Sequence, residues 1–138
     1  NIIKDLVERE ILTSEEASVV SVSKIISFFD SEIGRRACRS EKLYKEVEFN
    51  FMTEISGENV IIQGAIDCYF KENGNYILLD YKSDSLFDTE DESEIKELTD
   101  IYRPQLELYK TALEKIRGIR VKEVYLYLFS LGKGIRIP

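Results

Sequence analysis

The fold of this chain is indicated by residues 63–82, QGAIDCYFKENGNYILLDYK, in which two apolar runs flank the dipeptide Asn73-Gly74. An Asn-Gly pair between apolar runs is the strongest short-range signal of a β-hairpin, because both residues accept the positive φ of a two-residue turn. With this turn, the numbers of paired residues sum to 147, which places Asp67 directly opposite Asp80. Their Cβ atoms are then about 4.5–5.5 Å apart.

Two facing carboxylates are the most informative feature of the predicted hairpin. Like charges directly opposite one another destabilise a sheet, and a cation held between Asp67 and Asp80 would reverse the sign of that interaction. Mg²⁺ suits such a site, since one or two carboxylates, water and substrate phosphate oxygens hold it. Lys82 points to the same face as Asp80, where its amine can orient or deprotonate a water or stabilise charge on phosphate. This combination predicts metal-assisted hydrolysis of a phosphodiester.

The composition is that of one globular domain. The chain has 138 residues, of which 43% are hydrophobic and 33% charged, enough for one hydrophobic core. It has neither an apolar run near the roughly 18 residues of a membrane span nor a signal segment, so we expect no membrane partner. Because the chain begins with Asn1 rather than Met, we expect it to be an excised or processed part of a larger protein.

Charge and residue usage exclude several kinds of site. A net charge of −7 argues against a free-standing, high-affinity nucleic-acid binder, but not against a nuclease whose acids hold metal. The two cysteines, Cys38 and Cys68, are too few for a four-thiolate zinc or iron–sulfur site. They indicate reduced thiols in a cytoplasmic protein. Cys68 is predicted to lie in the core. Since the chain has no histidine, the commonest general base and the usual zinc ligand are absent.

The remaining elements follow from periodicity and from end signals. A strand is predicted from Tyr44, where apolar and polar residues begin to alternate. A helix is predicted from about Arg103 to Arg117, with Pro104 in its first turn and Gly118 beyond its end. Helices are also predicted over 1–20, with a capping box at 13–16, and over 23–34. Strands are predicted over 59–70 and 75–82, which form the hairpin, and over 121–131. Residues 83–99 are predicted to be an acidic loop that leads into a frayed helix start. A strand that returns after a helical crossover predicts an α/β fold with a mixed sheet and flanking helices.

Two further expectations concern domain organisation and DNA contacts. We divide the chain into a helical N-terminal segment, residues 1–40, packed on a core of residues 41–138. Residues 35–45 contain five basic side chains. This stretch is the best local candidate for contacts with DNA, although such a stretch is more often a solvated surface.

Three short motifs follow one another along the chain: Gly64-x-x-Asp67, Asp80-Tyr81-Lys82 and Gln105-x-x-x-Tyr109. Their order and spacing resemble the PD-(D/E)XK nuclease superfamily, and more narrowly the C-terminal nuclease domain of AddA- and RecB-type ATP-dependent helicase–nucleases, with AddA the better match. The strand that carries Glu46 resembles the acidic strand that precedes the first motif in that family. The resemblance covers about residues 40–130 and implies a restriction-endonuclease-like core.

The resemblance implies a metal site and a catalytic lysine. Asp67, Asp80 and the backbone carbonyl of Tyr81 would be the metal ligands, and Lys82 would be the catalytic lysine. The implied cofactor is Mg²⁺, for which Mn²⁺ can substitute, while ATP would serve only a helicase part outside this chain.

The resemblance also implies a surface that meets DNA. Gln105 and Tyr109, four residues apart on one helix face, would face the DNA and the active site, and Glu46 would be an accessory acid. The implied partners are a single-stranded DNA end delivered by a linked helicase and an AddB-type subunit. The implied process is the repair of double-strand breaks by recombination.

The chain departs from the AddA and RecB pattern in one respect, because members of that family carry a histidine of the metal site on an upstream helix. We expect this chain to begin after that helix. Two other functions stay open: another PD-(D/E)XK exonuclease of the phage or restriction type, and a catalytically dead nuclease fold that clamps DNA ends or serves as a scaffold. Each site residue also has a plainer interpretation. Asp67 and Asp80 could be solvated acids at strand ends, and Lys82 could form an ordinary ion pair with one of them. Gln105 and Tyr109 could belong to an amphipathic helix face, and Glu46 could be a solvated strand position.

Overall fold

A computed structural model describes residues 22–82 and 91–138 of the chain. Within these ranges three helices and five strands follow one another: α1 (Val22–Asp30), α2 (Glu32–Cys38), β1 (Lys42–Ile55), β2 (Glu58–Glu72), β3 (Asn75–Lys82), α3 (Glu92–Arg117), β4 (Val121–Leu128) and β5 (Lys133–Ile137). The helix predicted over 1–20 and its capping box lie outside the described residues.

The five strands form one mixed sheet in the order β1-β2-β3-β4-β5. Neighbouring strands are antiparallel except β3 and β4, which are parallel because α3 carries the chain back between them. The central strand β3 is buried over 77–81, as a strand covered on both faces should be. The predicted α/β fold with a mixed sheet and flanking helices is confirmed.

Helices cover both faces of the sheet. On one face, which we call the α1/α2 face, Ile25 and Phe28 pack against side chains of β2, β3 and β4, among them the predicted core residue Cys68. On the other, the α3 face, Leu106 and Leu113 form a second core with residues of the same strands. The division into residues 1–40 and 41–138 stays a prediction.

The hairpin of β2 and β3 has the predicted turn and register. Asn73 and Gly74 have φ values of 52° and 79°, as a turn with two left-handed residues requires. Pairing follows the predicted register from this turn to Cys68 and Leu79, the last pair of the ladder. It stops one position before the two acids, which therefore lie where β2 and β3 separate.

Two helices occupy the region in which one was predicted over 23–34. α1 ends at Asp30, and Ser31 caps α2 by accepting a hydrogen bond from the Gly34 N–H at 3.1 Å. Gly34 does not end a helix but is buried within α2, where a Cβ atom would collide with the carbonyl oxygen of Phe28. The prediction was wrong because a glycine needed for close approach and a glycine that ends a helix look alike in a sequence.

α3 begins well before the predicted start at Arg103. Asp91 caps it by accepting hydrogen bonds from two backbone N–H groups of the first turn, at 2.9 and 3.4 Å, so residues 92–99 are helical rather than part of a loop. Pro104 lies in the interior, where it removes one backbone hydrogen bond without ending the helix. The predicted end is correct, with Gly118 left-handed at φ 65°. Of the described helices, none combines the length and the apolarity that a membrane crossing requires.

The strand predicted over 121–131 is too long. β4 ends at Leu128, and a turn leads into β5, which pairs antiparallel with β4. β5 was not predicted because a strand of five residues that includes Gly134 carries too little periodicity to be detected.

Candidate active site

The candidate site residues gather where β2 and β3 separate, a place we call the fork and define by Asp67, Asp80 and Lys82. Asp67 lies at the end of the ladder, and its Oδ2 accepts a hydrogen bond from the Tyr81 N–H at 2.9 Å. A side-chain oxygen thus satisfies a backbone N–H at the point where β2 no longer pairs with β3. The register predicted from the turn therefore brings the two acids to one place.

Asp80 is the only charged residue that is fully buried among those described, with 3% of its surface exposed. Its Oδ2 lies 3.1 Å from Lys82 Nζ. This contact is an ion pair without hydrogen-bond geometry, and no described group donates a hydrogen bond to that oxygen. A buried carboxylate oxygen that accepts no hydrogen bond and lies beside a second carboxylate gives the fork capacity for a divalent cation in addition to the lysine. Its oxygen-only donor set is the one that hard divalent ions prefer.

The two carboxylates interact strongly. Burial, followed by the negative charge of Asp80, raises the pKa of Asp67 from 3.8 to about 7. The Tyr81 N–H and the Lys82 ammonium offset only part of this rise. Asp67 therefore takes up a proton far more readily than a solvated acid does, and Asp80 is buried, so the two side chains are not independent, solvated acids.

Lys82 is held on three sides. Its Nζ lies 3.1 Å from Asp80 Oδ2, 3.4 Å from Gln105 Oε1 and 4.6 Å from the centre of the Tyr102 ring. Burial of Lys82 favours the neutral amine, but the charges of Asp80 and Asp67 outweigh it and raise the pKa of Lys82. The side chain is therefore an ammonium at neutral pH, which favours an electrostatic role over that of a general base.

Tyr102 was not identified from the sequence. It lies three residues before Gln105, a spacing that puts both on one side of a helix, so helical spacing alone could have indicated it. The Tyr102 ring and the Gln105 amide oxygen together fix the direction of the Lys82 side chain.

Tyr109 occupies the space that Gly64 leaves open. Its ring meets the Phe49 ring edge to face, with centroids 5.5 Å apart. A Cβ atom on Gly64 would lie 2.8 Å from Phe49 Cζ and 3.2 Å from Tyr109 Cε1. The glycine of the first motif is therefore needed for close packing. Burial and then the charge of Asp80 raise the pKa of the Tyr109 hydroxyl, which indicates that this hydroxyl lies near the fork.

Glu46 lies opposite Asp67 in the register of β1 and β2, but it is not part of the acid pair. Pairs on either side of it are regular, whereas Glu46 itself has φ 49° and forms no ladder pair. Tyr44 and Val47 both pack on the α3 face, so the alternation of side chains reverses at this residue. Among the described residues no three acidic, cysteine or histidine side chains gather as a metal site, and the accessory role of Glu46 stays a prediction.

The basic stretch 35–45 includes one residue that is not available to DNA. Arg36 forms ion pairs at 2.8 Å with both Glu72 and Glu123 and donates a hydrogen bond to the Tyr125 hydroxyl at 3.0 Å. These contacts join α2 to β2 and β4 and lower the pKa of Glu123 to about 2. The expectation of DNA contact is wrong for Arg36, because its guanidinium is already neutralised within the fold.

A family model described as the PD-(D/E)XK nuclease superfamily matches residues 4–134. The chain belongs to this superfamily. PD-(D/E)XK nucleases typically use a divalent metal ion, and the buried, donor-free Asp80 oxygen beside a second carboxylate fits such an ion.

Three curated proteins, each named as the A subunit of an ATP-dependent helicase/nuclease, are similar to this PD-(D/E)XK chain. The protein of Syntrophomonas wolfei is 45% identical over 141 residues, that of Clostridium acetobutylicum 42% over 146 and that of Alkaliphilus metalliredigens 40% over 141. These matches cover 96%, 98% and 95% of the chain, which spans 11% of the length of each relative. The chain is thus a nuclease domain homologous to part of these helicase/nuclease proteins. A solved structure, that of SSO0001, has a TM-score of 0.49 and 13% identity over 99% of this chain and 59% of its own.

Two substitutions of Glu46 distinguish a backbone role from an acid role in this PD-(D/E)XK domain. Glycine accepts positive φ without strain, so Glu46→Gly should keep the thermal stability, and any loss of DNA cleavage in this variant would measure the acid role of Glu46 alone. Valine is β-branched and disfavours that conformation, so Glu46→Val should lower stability by about 1–3 kcal/mol. Denaturant unfolding and a cleavage assay on both variants test this. A Glu46→Gly protein that is stable but inactive would show that the carboxylate itself is needed.

The raised pKa of Asp67 makes the metal-free domain sensitive to pH. Because this pKa is about 7 in the folded chain against 3.8 without the fold, the folded state binds the extra proton between these values. Stability should therefore fall as pH rises from 4 towards 7. Asp67→Asn keeps an oxygen for the Tyr81 N–H and removes the charge. In the presence of a chelator, the melting temperature of Asp67→Asn should exceed that of the wild type above pH 7 and match it near pH 4. A difference in melting temperature that does not change with pH would contradict this account.

Proposed function

We propose that this domain hydrolyses phosphodiester bonds of DNA with the help of a divalent cation, Mg²⁺ or Mn²⁺. The single observation that supports this most is Asp80 Oδ2, a buried carboxylate oxygen with no hydrogen-bond donor, next to Asp67. These two carboxylates and the backbone carbonyl of Tyr81 would hold the ion. Bound there, the ion supplies Lewis acidity that lowers the pKa of a water and offsets charge on the phosphate.

The protein side chains contribute charge and position to this reaction. The Lys82 ammonium, which Gln105 and Tyr102 direct, stabilises the charge that develops on phosphate oxygens in the transition state. Since the two acids raise the pKa of Lys82, its side chain is an ammonium that can donate a proton to a leaving oxygen. Asp67 must lose its proton before the pair can hold a cation.

Two side chains of α3 complete the proposed surface for DNA. Gln105 is exposed and contacts Lys82 from the helix. A DNA strand that reaches Lys82 therefore also passes the side-chain amide of Gln105. Tyr109 follows Gln105 by four residues on α3, and its ring packs against Phe49. The charges of Asp80 and Asp67 act on its hydroxyl. We propose that Gln105 contacts the DNA backbone and that Tyr109 positions strand β2, which carries Asp67. Glu46 is retained as an accessory acid, subject to the Glu46→Gly experiment above.

We further propose a cellular context from the names of the relatives. The chain would be the nuclease domain of an AddA-type subunit in the cytoplasm, which cuts single-stranded ends that a linked, ATP-dependent helicase delivers during double-strand break repair. An AddB-type subunit would be its partner. The identity of 40–45% to proteins named as parts of an ATP-dependent helicase/nuclease favours this context over a phage or restriction enzyme.

A metal-dependence experiment tests the proposed reaction. End-labelled single-stranded DNA should be cleaved with Mg²⁺ or Mn²⁺ and left intact in a chelator. The same ions should raise the melting temperature, because an ion at a hundred times its Kd stabilises a fold by about 2.7 kcal/mol. Asp67→Asn should blunt this rise, whereas Glu97→Gln, which changes an exposed acid of α3, should leave it unchanged. A melting temperature that does not respond to millimolar Mn²⁺ would count against a shared site.

A further inference from the structure

A two-stranded ribbon extends beyond the rest of the sheet. β3 pairs with β2 only over residues 68–72, whereas β1 and β2 continue to pair with each other as far as Ile55 and Glu58. The ribbon comprises residues 47–66. Its inner face packs on α3, where Phe49 meets the Tyr109 ring.

The outer face of the ribbon lies on the α1/α2 face of the sheet, yet its side chains are left exposed. It consists of four cross-strand pairs, all exposed: Glu48–Ala65, Asn50–Gln63, Met52–Ile61 and Glu54–Asn59. At its centre Met52 and Ile61 are 64% and 61% exposed, and Ile55 at the end of β1 is 52% exposed. Half of the large apolar side chains that are exposed in the described ranges therefore lie on this ribbon.

The charge of the ribbon limits what can cover this apolar centre. Residues 47–66 contain three acidic residues and no lysine or arginine. Glu48 and Glu54 lie on the outer face itself, and Glu58 follows the turn. Nucleic acid is disfavoured because its phosphates would meet these carboxylates. A second copy is disfavoured because a two-fold contact would set the same acids against each other.

We propose that the outer face of the ribbon is a docking surface for a protein segment with an apolar centre and a rim of lysine or arginine, contributed by the same polypeptide outside this chain. The inference rests on the proposed context, in which this chain is one part of a longer subunit; it spans 11% of the relatives' length. A flexible methionine at the centre of an otherwise polar patch is typical of protein interfaces. The acidic rim selects a basic partner by charge complementarity.

Photo-crosslinking in the full-length subunit tests this proposal. Met52 is replaced by p-benzoylphenylalanine, and the crosslinked peptide is identified by mass spectrometry with single-stranded DNA present. We expect a crosslink to a peptide outside residues 1–138 that carries basic residues around apolar ones. The same probe at Ile101, which is 66% exposed on α3, should not give this peptide. The double variant Glu48→Lys/Glu54→Lys should reduce the yield at least tenfold, whereas Glu97→Lys/Glu107→Lys, which reverses two exposed acids of α3, should not.

Crosslinks from Met52 to DNA, to a second copy or to residues 1–21 would each overturn the proposal, as would a yield no higher than that of the Ile101 probe. A crosslink yield that does not change when Glu48 and Glu54 are replaced by lysine would contradict the basic rim predicted for the partner segment. Because crosslinking needs no catalysis, a nuclease assay on the same preparation separates this result from the proposed function. An active enzyme without the crosslink would contradict only the docking surface.

Discussion

Replacing Asp80 with asparagine is expected to lower DNA cleavage by about 10²–10³-fold or more. The substitution keeps the size of the side chain but removes the charge of the buried carboxylate whose Oδ2 has no hydrogen-bond donor. The ion pair with Lys82 is lost at the same time. Cleavage of end-labelled DNA at saturating Mg²⁺ measures the effect.

The stability of the Asp80→Asn protein distinguishes lost chemistry from lost folding. Neutralisation of Asp80 removes its repulsion with Asp67 together with its ion pair to Lys82, and these opposite effects should leave the free energy of unfolding of the metal-free protein close to that of the wild type. Removal of the neighbouring charge should also lower the pKa of Asp67, because Asp80 is the second largest cause of its rise. In the proposed longer subunit, ATP-driven unwinding should continue. Cleavage within a few-fold of the wild type would show that the fork is not the catalytic centre.

Replacing Lys82 with methionine is expected to lower kcat by about 10²–10³-fold while metal binding is retained or tightened. Methionine has a similar length and still packs on the Tyr102 ring, but it carries no charge for the transition state. The cation should bind at least as well because a positive charge 3.1 Å from Asp80 is gone. Mn²⁺ titration beside single-turnover cleavage, both well above pH 7 so that Asp67 is ionised, separates the two effects.

Arginine at the same position is the informative control. It keeps the positive charge, but its planar guanidinium differs in shape from the ammonium that fits between Gln105 and Tyr102. Lys82→Arg should therefore be intermediate in rate between the wild type and Lys82→Met. Loss of Mn²⁺ affinity with an unchanged rate in Lys82→Met would mean that the lysine supports the metal site rather than the reaction.

The position of the acids was predictable because turn chemistry fixes pairing. Asn73-Gly74 specifies a two-residue loop, and counting outwards from it places Asp67 and Asp80 at matching positions, one residue beyond the last pair of the ladder. What counting cannot give is where the ladder ends. Beyond this point, in the described part of the chain, β2 pairs only with β1 and β3 only with β4, and these long-range pairings are not encoded in the turn.

Other features were missed for related reasons. Pro104 disfavours a helix interior by about 3 kcal/mol, but α3 is stabilised through the burial of Leu106 and Leu113 against the sheet, so the helix continues through it. The reversal at Glu46 leaves no trace in the alternation of residues 47–51, because both sides of it are regular strands. Tyr102 was within reach of helical spacing, but only the structure shows that its ring lies under the lysine.

The parallel pairing of β3 with β4 bears on the order in which the proposed site can assemble during synthesis. Lys82 is paired with Leu128, and its carbonyl accepts a hydrogen bond from the Phe129 N–H at 3.0 Å; both partners emerge from the ribosome more than forty residues after the lysine. Contacts of such long sequence separation form late in folding. The hairpin can fold early, but the backbone of its last residues then lacks the strand β4 with which Lys82 pairs. A nascent chain would therefore carry both acids and the lysine before the proposed catalytic centre is assembled, and DNA cleavage is expected only once β4 has paired with β3.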